Sequence, residues 1–175
     1  MKLSEGDRLI LVMLSELYKH HKIAGEIDPD FVLKTVYNRD DWALAWKYSG
    51  LFESEKLLPD VQETCDILDM YRLLQSSFKK LSPAEQVRVQ KEASPFDDYV
   101  EYQGFDGNND PHLHIVSVLV EDLGRYSEIK NPDLNSHSVA TLRHYRDMLR
   151  RFKPMTDPYP RDGLTCHQII EVLRG

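Results

Sequence analysis

Apolar residues recur along this chain at the spacing of one helical face, broken at regular intervals by capping and turn residues. Ile10, Met13, Leu14 and Leu17 fall at i, i+3, i+4 and i+7 and predict a first helix from Glu5 to about Ala24. Ser4 is placed to cap it and Gly25 offers the left-handed residue that ends a helix. An apolar stripe of this kind requires a partner surface. His20 and His21, at the polar end, fit C-terminal cations better than metal ligands. Asp28-Pro29 opens a second helix, with Ile27 and Val32 at the spacing of a hydrophobic staple. A third, short helix is predicted from Asp41 to Ser49, with Asn38 ahead of it and Gly50 closing it, so that Leu51 reaches back to Trp46. It sets Trp42 and Trp46 on one face. Because aromatic side chains mainly supply buried area, the pair reads as a core or subunit-interface anchor rather than a ligand platform.

The longest predicted helix runs from Asp60 to about Lys80. Val61, Thr64, Cys65 and Leu68 form one stripe and Ile67, Met70, Tyr71, Leu74 and Phe78 an adjoining one, the pattern of a helix buried over much of its girth. Asp66 and Asp69, three apart on it, could share a cation. Ser82-Pro83-Ala84-Glu85 is a capping box with proline at the first helical position, so another helix starts there and ends before Ser94-Pro95. Tyr99 to Gln103 reads as a lone extended stretch. Asp110-Pro111 starts a helix with Val116, Leu119, Val120 and Leu123 as its buried stripe. Gly124 lies inside that pattern at a cost of roughly 1 kcal/mol, which predicts close approach of another backbone. A helix from Ser138 to Phe152 turns Leu142, Tyr145, Leu149 and Phe152 inward. Residues 154 to 163 form a turn-rich connector. Thr165 and Gln168 then box the start of a last helix carrying Ile169, Val172 and Leu173, with Leu164 and Ile169 as a staple. The fold class is all-α: a multi-helix bundle with a helical hairpin and a second small helical part. One domain is expected over 1–175, with an N-terminal helical annex at 1–58 and a helical core at 59–175.

Charge narrows the function classes. The net charge is −7, unevenly spread: Arg143 to Arg174 holds seven Lys/Arg against four Asp/Glu, so the remainder carries −10. A generic nucleic-acid binder is basic overall, which disfavours DNA or RNA as partner. Arg143, Arg146, Arg150 and Arg151, interleaved with Asp147, fit a solvated charge lattice better than a phosphate site. Cys65 and Cys166 lie far apart and neither belongs to a CxxC pair, so no zinc or redox motif is present. The apolar run from Leu9 to Leu14 is too short for a signal peptide or a membrane span. A cytoplasmic protein without cofactor is expected.

Candidate chemistry concentrates in two polar loops, Gly104 to Asp110 and Leu134 to His137. Asp106-x-Asn108-x-Asp110 opens like an EF-hand loop, but Pro111 stands where that loop needs glycine and Ser117 where it needs a bidentate glutamate. A looser cation site competes with a purely structural role in which Gly104 and Gly107 permit positive φ and Asp110 caps the next helix. His112 and His114, about 200° apart on a helix, cannot grip one ion. The candidate polar pocket comprises Asp106, Asn108, Arg125, Asn135 and His137, with His137 as acid/base or ligand. No nucleophile elbow, Walker loop, dinucleotide fingerprint or HExxH motif occurs.

Tyr37 with Trp42-Ala43-Leu44, Trp46 to Gly50, Asp66 to Met70, Gly104 to Asn109, Glu121 to Tyr126, Leu134 to His137 and Leu164-Thr165 occur in one order, and with them nearly the whole chain resembles the YfbU-like family of bacterial proteins. The resemblance implies an all-helical, self-associating protein. It implies no reaction, and no catalytic residue is carried over. The expected function is therefore a non-enzymatic helical interaction or regulatory protein, a homo-oligomer with room for a protein partner, that exposes apolar surface at the paired tryptophans or the first helix. The alternative is a metal-assisted hydrolase of a small phosphorylated or nucleotide-like compound, working through Asp106, Asn108 and His137.

Overall fold

The computed structural model describes residues 2–52, 56–129, 134–137, 139–156, 160 and 162–174. Among them are eight α-helices and no strand, an all-α fold. The chain divides into two compact units, Met1–Leu58 and Pro59–Gly175.

In the first unit, α1 (Glu5–His21) begins where the sequence places its cap. Ser4 Oγ accepts the Asp7 N–H at 3.1 Å while the Asp7 carboxylate accepts the Ser4 N–H at 3.0 Å. It ends earlier than the predicted Ala24. Lys22 itself turns left-handed, at φ 52°, and its N–H bonds the carbonyls of Tyr18 and Lys19, so Gly25 is not the terminator. Asp28 caps α2 (Pro29–Asn38) by accepting the N–H groups of Asp30 and Phe31. Arg39, at φ 62°, closes α2 and leads straight into α3 (Asp41–Lys47). That helix stops at Lys47 rather than Ser49, and Leu51 is left 70% exposed. Trp42 is buried edge-on against half-buried Trp46, with ring centroids 5.6 Å apart.

Helix α1 is fastened to this unit through a polar lock. The Arg8 guanidinium donates to both Asp41 oxygens, at 2.8 and 2.6 Å, and to the Val36 carbonyl at 3.1 Å; the Leu3 N–H adds a bond to Asp41 at 3.0 Å. Both charged side chains are about nine-tenths shielded from solvent. An ion pair so enclosed tolerates desolvation only while each charge keeps its partners.

In the second unit, α4 (Pro59–Lys80) is the buried strut that its two stripes predict: Ile67, Leu68, Met70, Tyr71 and Leu74 are wholly enclosed. It packs against α6 (His112–Ser117), α7 (Leu142–Met155) and α8 (Cys166–Leu173), while α5 (Pro83–Ala93) packs on α8. Ser82 and Thr165 form the expected capping boxes. Tyr71, Tyr102, Phe105 and Tyr145 cluster between these helices, edge to face with centroids 5.4 to 5.6 Å apart except for the stacked pair Tyr102 and Tyr145 at 6.0 Å, geometries their ring quadrupoles favour.

Four expectations change here. Helix α6 runs into a π-helical turn, Val118–Asp122, and Gly124 ends it at φ +62° while the Arg125 N–H returns to the Leu119 carbonyl. Gly124 is thus a terminator rather than a mid-helix packing residue, and no atom crowds the place of a missing Cβ. The stretch read as lone and extended opens with a 3-10 turn, Asp97–Val100, and the backbone after it finds a partner at Asn135. Helix α7 starts at Leu142 and buries the four residues predicted; Ser138, taken as its start, and Pro158 of the connector lie outside the described residues. Asp66 and Asp69 share no cation: Asp66 binds Lys153 at 2.6 Å and Asp69 binds Arg72 at 3.4 Å.

Asp41→Ala leaves the enclosed Arg8 charge without its carboxylate. Chemical denaturation is expected to show a loss of about 3–5 kcal/mol in the first unit; a loss below about 1 kcal/mol, the scale of an exposed pair, would refute the lock.

Candidate functional site

The two polar loops of the second unit meet through their backbones. Phe105 N–H donates to the Leu134 carbonyl and the Ser136 N–H donates to the Phe105 carbonyl, both at 2.9 Å, an isolated parallel bridge. Gly104 makes the approach feasible. It sits at φ +82°, and a Cβ there would lie 2.8 Å from the Leu134 oxygen, the Asn135 carbonyl carbon and the Ser136 nitrogen. Its own carbonyl accepts Thr141 Oγ1 at 2.7 Å and the Tyr145 hydroxyl at 2.9 Å, and that hydroxyl in turn accepts the Gln103 N–H at 3.1 Å. The clasp is therefore welded to the start of α7.

Of the five candidate pocket residues, four belong to the clasp's two loops. Asn135 Oδ1 accepts the Gly107 N–H at 3.4 Å and the His137 N–H at 2.9 Å. Asp106 is buried. The Asn109 side-chain amide, at 2.6 Å, and the Asn108 N–H, at 3.0 Å, bond its two oxygens and hold its carboxyl below the usual carboxylate range. Asn108 and His137 are exposed, His137 with left-handed backbone at φ 51°. Arg125 is exposed, and its charge acts on Cys65 of α4. Asp110 does not cap α6 with its side chain; its carboxylate instead accepts the Asp106 N–H at 3.3 Å. These bonds are those of a loop junction, in which carboxylate and carboxamide oxygens satisfy backbone donors. Among the described residues no group of three or more His, Cys, Asp or Glu is arranged to hold a metal ion. Burial pushes the Cys65 thiol up to about 11, away from nucleophilic reactivity.

Sequence reasoning missed Glu63. Its carboxylate takes a two-pronged bond from Arg146, at 2.8 Å on each oxygen, and lies 2.9 Å from His112 Nε2. The Arg146 guanidinium foremost, with His112 assisting, holds the Glu63 carboxyl low despite partial burial. His112 is 1% exposed and lies against the Phe105 ring, while Arg146 reaches in from the surface, so this trio bolts α4, α6 and α7 together. The only trace in the sequence was a histidine weighed against His114 rather than against a glutamate 49 residues away.

A different feature stands out in the first unit. Ile10, Met13, Leu14 and Leu17, the stripe that defines α1, are 49 to 56% exposed, and Leu9 beside them is 62% exposed. The one buried residue of α1 is Ser15, on the opposite side. Helix α1 thus shows its apolar face outward. Next to it lies an apolar groove of about 370 Å³, lined by Ile10, Ile27, Val32, Leu44, Leu51 and Phe52 among others. Trp42 is buried and Trp46 half-buried, so the contiguous outward apolar stripe of this unit is on α1 rather than at the tryptophan pair.

Capped helices, an enclosed strut, a backbone-to-backbone loop clasp and an outward apolar stripe make up an all-helical protein. The model of the YfbU domain matches residues 1–174, and the chain belongs to that family. No solved structure matches it. Among the described residues no helix is long and apolar enough to cross a membrane.

Gly104→Ala must displace backbone on the facing loop and take up a positive φ. Thermal or chemical denaturation is expected to show a loss of about 2 kcal/mol or more. A neutral substitution would mean that the loops do not close as described.

Proposed function

We propose that this protein is a non-enzymatic, cytoplasmic interaction protein that self-associates through the apolar face of α1. The observation that carries the reading is the inversion on that helix: Ser15 is buried while Ile10, Met13, Leu14 and Leu17 face water. Contiguous apolar surface left on a folded chain marks a place where another surface docks. A helix offering anchors at i, i+3, i+4 and i+7 suits a helical partner. The bonding within the loop clasp supports the non-enzymatic part, because the oxygens of Asp106 and Asn135 are already engaged by backbone and side-chain amides. Two free, buried cysteines accord with a reducing compartment.

The test is mass in solution. Light scattering at micromolar concentration is expected to give a multiple of the 20.4 kDa chain, and the double variant Leu14→Glu/Leu17→Glu is expected to give the chain mass alone with unchanged helix content. A wild-type protein that stays at 20.4 kDa throughout that range overturns the reading.

A further inference from the structure

Resting on that reading, we infer that the surface covering α1 is α1 of a second copy, packed antiparallel about a two-fold axis. The argument starts from charge. Glu5 and Asp7 stand in the first turn of α1 and Lys19, His20 and His21 in its last. Arg8, the cation that would spoil this division, is turned inward onto Asp41. A second α1 laid parallel would set acid beside acid and base beside base. Glu5 and Lys19 are already paired within the chain, with Arg39 and Asp30, which leaves Asp7 at one end and the two histidines at the other. Laid antiparallel, the Asp7 end meets the histidine end and the two helix macrodipoles oppose each other favourably. The stripe is self-complementary in the same sense. An axis passing between Met13 and Leu14 sets Ile10 against Leu17 of the second copy and Met13 against Leu14 of the second copy. Contacts exchanged in this reciprocal way are what a two-fold interface requires.

Gly6 supplies an independent reason. Within its own chain nothing crowds it, since the nearest atom to an added Cβ is Ser4 Oγ at 3.8 Å, and its backbone is ordinary helix. A glycine inside a helix costs stability relative to alanine, and neither conformation nor packing within the chain demands one here. At 100° per residue Gly6 lies on the same side of α1 as Ile10 and Leu17. In the antiparallel pair it faces His21 of the second copy, where the absent side chain leaves room for an imidazole.

Two experiments on the full chain test the arrangement. In the first, copies carrying Ile10→Cys are mixed with differently tagged copies carrying Leu17→Cys and gently oxidised; the native Cys65 and Cys166 are buried and stay out of the reaction. The mixed disulfide is expected to exceed either self-disulfide several-fold. Self-disulfides through Leu17→Cys that outnumber the mixed species overturn the antiparallel geometry in favour of a parallel one. The second uses one substitution beside the axis. Copies carrying Leu14→Cys are expected to form a disulfide with one another on gentle oxidation, because Leu14 lies next to the two-fold axis. Absence of that disulfide in a protein that light scattering finds dimeric overturns the α1 pairing and leaves self-association intact. A monomeric mass overturns both.

Discussion

The constraint that governs this molecule is the enclosure of α4. A helix of 22 residues with apolar side chains on two adjoining stripes cannot be stable in water unless neighbours cover most of its girth. In the second unit α6, α7 and α8 do so. The price of that arrangement is paid at the connections, because loops joining helices around a buried strut must run close to one another. Gly104 meets the demand: lacking a side chain, it lets one loop pass within hydrogen-bonding distance of the next, and its carbonyl is taken by Thr141 and Tyr145. The polar residues around it serve this closure. Asp106, Asn108 and Asn135 look like chemistry in the sequence because they are the residues that bind backbone donors at turns.

The first unit solves its packing differently. Arg8 and Asp41 hold α1 down through charge and hydrogen bonds, and small Ser15 lies at the contact. With the inward side closed by these means, the apolar stripe is left over. Natural surfaces seldom leave four such residues together facing water unless they dock something. The core of the second unit is thus covered, while the apolar stripe of α1 is not.

Much of this was legible in the residues. Capping boxes at Ser82 and Thr165 and the cap at Asp28 located helix starts, because each places a side-chain acceptor on free N–H groups at fixed spacing. The stripes of α4 and α7 identified buried faces for the same local reason. Helix ends were harder. Lys22 and Arg39 close their helices left-handed though neither residue type favours that conformation, while Gly25 and Gly50, which do, were passed over. The stripe of α1 was read correctly as apolar, yet periodicity cannot say whether such a face lies inside the chain or against another molecule. Nor could spacing foresee that Glu63 would meet His112 and Arg146, or that Phe105 would pair with Asn135, since both joins depend on where separate helices come to rest. Four of the five candidate pocket residues stand in the two loops that meet, Arg125 does not, and spacing could not say what their oxygens would bind.

The most direct measurement of the central claim is the reactivity of Met13, in the middle of the α1 stripe and 56% exposed in the single chain. Brief hydroxyl-radical oxidation, read by mass spectrometry across a dilution series, reports whether that sulfur meets water. The account predicts slow oxidation of Met13 at micromolar protein, accelerating on dilution as copies part. Rapid oxidation at every concentration would contradict it, because the stripe would then be open surface with nothing docked upon it.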